Sequence, residues 1–248
     1  LASWDSLAYY MDEILALPVI DDARKASLAA LWANNIFDLR FDEALSKAEK
    51  LAGWLPKLQL ATRDDQPLAE DLRTLLRAEL KAADEATPDS FERQSVINQI
   101  SHIYREAGLV NDAKDLLLAE LEKSASPYYF MSGLGSLAEK DDHFEEALAW
   151  RKKAYENSVG EATRFQWGAN YVLAMIRMAP EDHQAIAVQA SALLSEFHAS
   201  GELFAGRNFR ILKRLNENLR SWREEQNPET LAFEPEVEKL CGDQKEAS

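Results

Sequence analysis

The sequence predicts an all-α fold, organised as a right-handed array of antiparallel helical hairpins, that is, an α-solenoid. Three observations lead to it: one pattern recurs after 34 residues, the composition favours helices, and no series of segments alternates apolar and polar residues as strands would. Ala, Leu and Glu are abundant, whereas the 248 residues include only nine glycines and eight prolines, and such a composition favours helix throughout. A single hairpin cannot bury its apolar face alone, so hairpins of this kind stack on their neighbours.

The recurring pattern places small residues where two helices must approach closely. Ala113 and Ala147 are 34 residues apart and occupy the position where the second helix of a repeat nests against the first. The pair Leu134-Gly135 precedes Ala147 by thirteen and twelve residues, which is the spacing that the tetratricopeptide pattern requires. The sequence therefore predicts tetratricopeptide-like repeats, of which the clearest span residues 90–123 and 126–158.

The chain before these repeats is expected to contain more divergent hairpins. Asp21 or Asp22 is a suitable N-cap for one helix. The segment Phe41–Leu45 is similar to Phe144–Leu148 and is expected to open the next helix, so that residues 24–54 form a divergent hairpin. A degenerate hairpin then follows, and a helix near residues 68–83 supplies part of it.

The elements around and after the clear repeats are separated by turn residues. Thr87–Ser90 combines proline with good N-cap residues and predicts a turn followed by a helix. Glycine and proline interrupt the later part of the chain, which predicts helices over residues 161–178, 186–197 and 207–222. We predict one helical-repeat domain over residues 1–233, followed by a C-terminal tail of residues 234–248.

Charge and cysteine content exclude several classes of function. The formal net charge of −15 argues against a nucleic-acid backbone as the main partner, since phosphate binding needs clustered Lys and Arg, and against docking on an anionic membrane. No run of residues is apolar and long enough to insert into a membrane. Cys241 is the only cysteine, so an intrachain disulfide and a CxxC pair are both excluded. Cys241 is either an inert tail thiol or a target for mixed-disulfide exchange.

No catalytic, metal or cofactor site is expected from the motifs. Residues 133–138 formally fit the GxGxxA dinucleotide signature, but that motif works only between a strand and a helix. The four histidines show no helical zinc spacing. Acidic doublets such as Asp21-Asp22 and Glu145-Glu146 lie at expected helix starts or polar faces, where solvation explains them.

The remaining candidate is the inner wall of the array, lined mainly by the first helix of each hairpin. Amides, an imidazole, guanidinium groups and aromatic rings recur there, and together they suit an extended peptide or its carboxylate. The alternative is that the aromatic residues belong to the interhelical core and the polar ones only face water. The candidate peptide-binding residues are Asn98, His102, Arg105, Tyr129, Arg164, Trp167, Asn170 and Tyr171.

Three segments also resemble a known family. Residues 126–131 (SPYYFM), 147–150 (ALAW) and 162–168 (ATRFQWG) are similar to the helical C-terminal region of exported bacterial thioredoxin-family proteins. In that family a thioredoxin domain with a CxxC pair precedes the helical region, whereas this chain contains no such pair. The resemblance implies a periplasmic location, and the start at Leu1 without a signal peptide leads us to expect that a preceding segment was removed.

These observations favour a non-catalytic scaffold that binds a protein or peptide on a concave helical surface. The resemblance adds an attached or associated thioredoxin-like domain as a further partner. Two alternatives stay open at this point. One is a structural spacer or oligomerisation domain, and the other is an enzyme whose pocket is assembled from distant helices.

Overall fold

The computed structural model describes residues 8–18, 21–63, 66–196 and 206–226. Within these ranges the chain forms α-helices, short 3₁₀ segments and turns, and no strand, which confirms the all-α prediction. The chain divides into two compact units, Leu1–Ala125 and Ser126–Ser248. The predicted tail of residues 234–248 lies outside the described residues.

The described helices of the first unit are α1 (Met11–Leu15), α2 (Asp22–Asp38), the 3₁₀ helix (Leu39–Phe41), α3 (Lys47–Ala52), α4 (Trp54–Ala61), α5 (Glu70–Glu85), α6 (Ser90–Glu106) and α7 (Val110–Glu120). Helix α6 is central to this unit, because it packs against α3, α4, α5 and α7, while α2 packs against α1 and α4. The apolar face of α6 is buried and includes Ile97, Ile100 and Ile103, and the large side chain of Trp54 from α4 is also buried.

Side-chain caps determine where several of these helices begin. The carboxylate of Asp21 accepts the backbone N–H of Arg24, and the carboxylate of Asp89 accepts those of Phe91 and Glu92. Both caps satisfy donors that the first turn of a helix leaves without partners. The expected cap at Asp21 and the expected turn over Thr87–Ser90 are therefore confirmed.

The expected helix start at Phe41–Leu45 is wrong. The side chain of Asp42 accepts the N–H of Ala44 at 2.9 Å and stabilises a turn there. The helix begins only after Ser46, which forms a capping box with Glu49. Ala44 is consequently exposed, whereas Ala147, the residue it was expected to match, is fully buried.

A buried ion pair ties three helices of the first unit together. Arg93 on α6 donates to both carboxylate oxygens of Glu120 at the end of α7, and also to the carboxylate and carbonyl of Asp84 on α5. The side chain of Glu120 is only 1% exposed. Burial raises the pKa of Glu120, but hydrogen bonds from Arg93 and Lys123 lower it, and the net pKa lies below its ordinary value.

The described helices of the second unit are α8 (Tyr128–Lys140), α9 (Phe144–Asn157), α10 (Glu161–Met178), α11 (His183–Glu196) and α12 (Gly206–Gln226). Helix α10 is central to this unit, because it packs against α9, α11 and α12, while α8 packs against α9. The buried core of the unit contains Phe165, Val172 and Leu193 together with Leu219 and Trp222 of α12.

Two glycines allow the helices of this unit to approach closely. A Cβ on Gly135 of α8 would lie 3.2 Å from the carbonyl oxygen of Ala147 on α9. A Cβ on Gly168 of α10 would lie 2.3 Å from the Cδ1 atom of Leu193 and 3.0 Å from the ring of Tyr155. The absence of a side chain at these two positions therefore permits the packing of α8 on α9 and of α10 against its two neighbours.

Candidate functional site

The second unit contains a cavity of about 310 Å³ bordered by α9, α10 and α12. Its lining is predominantly polar, with three guanidinium groups and two side-chain amides. We refer to it as the arginine cavity, and it is lined by Arg151, Asn170, Leu173, Arg177, Arg214 and Asn218.

One carboxylate holds two of the three arginines in place. Arg151 on α9 donates to an oxygen of Glu139 at 2.7 Å and to the hydroxyl of Ser136 at 3.2 Å. Arg177, near the end of α10, donates to the other oxygen of Glu139 at 2.6 Å. Glu139 on α8 thus fixes the guanidinium groups of two neighbouring helices.

The third arginine is positioned by an amide instead. Arg214 on α12 donates to the side-chain oxygen of Asn170 on α10 at 3.0 Å. Among the residues that the structure describes, no carboxylate lies within ion-pair distance of Arg214. Asn218 lies one turn further along α12, on the same face, and its amide donates to the backbone carbonyl of Arg214.

The cavity therefore has an excess of positive charge, although the chain as a whole is strongly acidic. Three guanidinium groups border it, and Glu139 is the one carboxylate that bonds to any of them within the described ranges. Burial raises the pKa of Glu139, while the hydrogen bonds from Arg151 and Arg177 lower it, so that the net pKa is below its ordinary value. Glu139 is ionised at neutral pH and still leaves an unneutralised cationic surface, which favours an anionic group in the cavity.

Three aromatic side chains of α8 and α10 contact one another, and one of them, Trp167, also packs against the core of the second unit. The ring of Trp167 contacts Tyr128, with centroids 5.8 Å apart, and Tyr129 edge-on, with centroids 5.3 Å apart. These distances are typical of favourable aromatic pairs. All three side chains are partly exposed, and Trp167 precedes Asn170 by about one turn of α10. We call Tyr128, Tyr129 and Trp167 the aromatic triad.

The candidate residues of the second unit separate into two groups. Tyr129 and Trp167 contact each other, and Asn170 lines the cavity one turn away, so these three are close together. Arg164 instead pairs with Glu196 of α11 and also donates to the carbonyl of Ser158. It lies outside the lining of the cavity.

Tyr171 and the three candidates of the first unit also make local contacts. Tyr171 packs against the core of the second unit, and burial raises the pKa of its hydroxyl. In the first unit, Asn98 donates to the carbonyl of Gln94 one turn earlier. The ring of His102 stacks on Tyr9 at 5.8 Å and accepts a hydrogen bond from Arg105.

Most of the cavity was not identified from the sequence. Of its lining, only Asn170 was predicted, while the three arginines and Asn218 were missed. The sequence does contain one indication of this cavity. Arg214 and Asn218 are four residues apart, and Asn170 and Arg177 are seven residues apart. Both spacings bring polar residues to one face of a helix.

Metal-ligand clusters and membrane-spanning helices are two further features that the described residues do not show. No group of three or more His, Cys, Asp and Glu side chains there is arranged to hold a metal ion. None of the described helices has both the length and the apolar character needed to cross a bilayer. Comparison with known proteins finds no family model, no curated protein and no solved structure that matches the chain.

Acid should destabilise the second unit through Glu139. Its folded pKa is depressed, so its contribution to stability is complete above the ordinary value of 4.5 and is lost as the pH falls below 4.5 through the folded pKa. We expect Glu139→Gln to be less stable at pH 7, because Arg151 and Arg177 lose their shared partner, and to show a flatter decline below pH 4.5. Urea unfolding between pH 7 and 3 measures this. The exposed Glu145→Gln is the control, and equal acid sensitivity of Glu139→Gln and the parent would contradict the assignment.

Proposed function

We propose that this chain is a non-catalytic scaffold that binds an extended peptide, and that the arginine cavity receives a carboxylate of that peptide. The observation that carries the proposal is the excess of guanidinium groups around a cavity in an otherwise acidic chain. Guanidinium groups bind carboxylates through two parallel, charge-assisted hydrogen bonds, which are about twice as strong as neutral ones.

The aromatic triad defines a second part of the proposed ligand. Its Trp167 lies about one turn along α10 from Asn170, and all three rings are partly exposed. Partly exposed aromatic rings are typical anchors for apolar side chains at interfaces. The preferred peptide therefore carries an apolar or aromatic residue close in sequence to its carboxylate.

We further propose that the helices form a right-handed tetratricopeptide-like array. In the second unit, α8 and α9 pack together and are joined by the short turn of residues 141–143. A comparable turn over residues 179–182 joins α10 to α11. In the first unit, α6 and α7 form a similar pair. These pairs and the 34-residue register support the array, and the single repeat domain over residues 1–233 stays a prediction.

The cellular setting rests on the family resemblance alone. We propose a periplasmic location and an attached or associated thioredoxin-like domain, for which the scaffold would hold peptide substrates. The described helices contribute the binding surface in this arrangement, and the redox chemistry would belong to the other domain. Co-purification of the chain with a CxxC protein from the source organism would test this association.

Replacing Arg214 by Met should weaken peptide binding by about tenfold or more, since a hydrogen bond to a charged group contributes roughly 1.5–3 kcal/mol. Peptides that bind the parent protein would first be selected by fluorescence anisotropy from a library of peptides with free carboxyl ends. The affinities of the selected peptides for the parent protein and for Arg214→Met would then be compared. Met retains much of the apolar stem of arginine but removes its charge and donors. Arg214 lies on the exposed side of α12, so we expect the fold to persist.

The matched control is Arg220→Met. Arg220 is an exposed arginine on the same helix, but it does not line the cavity. Its loss should leave the affinity unchanged. The proposal fails if no peptide in the library binds saturably, or if the two variants weaken binding equally.

A further inference from the structure

The first unit contains a separate cavity of about 330 Å³ with a different chemical character. It lies between the 3₁₀ helix, α3, the start of α4 and the last two turns of α5. Most of its surface is apolar, and its lining includes Leu51, Ala82, Ala83, Ala86 and Trp54, the last only 1% exposed. The indole of Trp54 is fixed, because its N–H donates to the carboxylate of Glu79 at 3.1 Å. We call this the apolar cavity.

An exposed aromatic ring borders the apolar cavity. Phe41 is 70% exposed, although full burial of a phenylalanine side chain would stabilise the protein by about 1.5–3 kcal/mol. The guanidinium of Arg40 lies 4.2 Å from the centroid of the Phe41 ring and 3.5 Å from that of Phe37, and these cation–π contacts favour the observed position of the Phe41 ring. An exposed ring beside an apolar cavity is a surface on which a second ring can pack.

The cations around this cavity differ in how they are paired. Lys47 donates to the carbonyl of Ala86 and forms an ion pair with Glu92 at 2.9 Å. Arg40 lies 3.6 Å from Glu79. Lys50 also lines the cavity, and no described carboxylate lies within ion-pair distance of it. The apolar cavity therefore has one ammonium group available for an anion.

We propose that the apolar cavity binds a small aromatic carboxylate, with its ring packed beside Phe41 and Leu51 and its carboxylate paired with Lys50. The volume lies at the lower end of the range of roughly 300–1,000 Å³ found for small-molecule sites, and an apolar lining with few polar groups is typical of them. The charge of Lys50 selects a monoanion over a neutral ring. This site belongs to the first unit, and its existence is independent of peptide binding at the arginine cavity.

The test compares two probes of nearly the same shape, the anion 3-phenylpropionate and the neutral 3-phenylpropionamide, whose amide also carries N–H donors. Each is titrated into the ¹⁵N-labelled full chain while amide and indole signals are followed by NMR. We expect 3-phenylpropionate to shift the indole signal of Trp54 saturably, and the amide to bind about fivefold more weakly, because a partly exposed ion pair contributes modestly. Signals of the second unit report separately on any binding at the arginine cavity.

Three variants identify the side chains that bind the probes in the apolar cavity. Lys50→Met should reduce the affinity for the acid to that for the amide and leave the amide affinity unchanged. Phe41→Ala should weaken both probes, and because Phe41 is largely exposed we expect the fold to persist. Lys81→Met, an exposed lysine on α5 outside this lining, should change neither affinity. Equal affinity for acid and amide, no effect of Lys50→Met, or no saturable shift at Trp54 would each overturn the proposal.

Discussion

Replacing Arg93 by Met should lower the free energy of unfolding by about 3–5 kcal/mol, because it leaves the carboxylate of Glu120 buried without its main partner. The side chain of Glu120 is 1% exposed and that of Arg93 is 17% exposed. Arg93 also donates to the carbonyls of Asp84 and Thr87, so its loss frees acceptors at the end of α5 as well. Urea unfolding at pH 7, followed by circular dichroism, measures the loss.

Two companion variants distinguish a buried charge from lost packing. The double variant Arg93→Met with Glu120→Leu should recover part of the stability, since it removes the unpaired charge. Arg77→Met breaks a more exposed pair with Asp112 and should cost clearly less. The difference in unfolding free energy between the parent protein and Arg93→Met should also become smaller in acid, where Glu120 takes up a proton. A double variant no more stable than Arg93→Met would contradict this explanation.

Replacing Phe165 by Ala should destabilise the second unit by about 3–5 kcal/mol, the range found when a buried Phe is truncated. Phe165 is 1% exposed and lies on α10, in the core that α10 shares with α11 and α12. The cavity left behind would be bordered by helices whose close approach leaves little room for collapse, as the contacts at Gly168 indicate. Hydrogen exchange by mass spectrometry should show faster exchange along α10.

Phe209→Ala provides the matched comparison for this effect. Phe209 lies on α12 and is 49% exposed, so its truncation removes less buried area. We expect it to cost less than half of the loss at Phe165. A comparable cost at the two positions would show that α12 is held by contacts other than the core described above.

Much of the fold could be predicted from local sequence, because helix-forming composition and side-chain caps act over a few residues. The helix over residues 161–178 begins and ends where the pattern predicted. The error at Phe41–Leu45 has a local cause too. Asp42 and Ser46 compete for the backbone N–H groups that a helix would use, and a likeness to Phe144–Leu148 cannot show which of them wins.

The site was harder to predict, because its residues come from three helices that are distant in sequence. The residues that were expected on the inner wall of the helical array include Asn170, which lines the arginine cavity. They do not include Arg151, which belongs to the second helix of a hairpin, or Arg214, which lies on a helix without a recognisable repeat register. Arg164 appeared equally suitable from its sequence position, but its guanidinium is paired with Glu196. Such pairing depends on tertiary contacts and leaves no signal in the local pattern.

Recognition of the terminal carboxylate of a peptide by Arg214 can be measured with a double-mutant cycle. The best peptide from the library, with a free and with an amidated carboxyl end, is titrated by calorimetry into the parent protein and into Arg214→Met. If the two groups contact each other, amidation costs affinity in the parent but little in the variant, with a coupling energy of about 1.5 kcal/mol or more. If amidation costs the same in both proteins, Arg214 does not contact the carboxylate, and carboxylate binding by this arginine is contradicted.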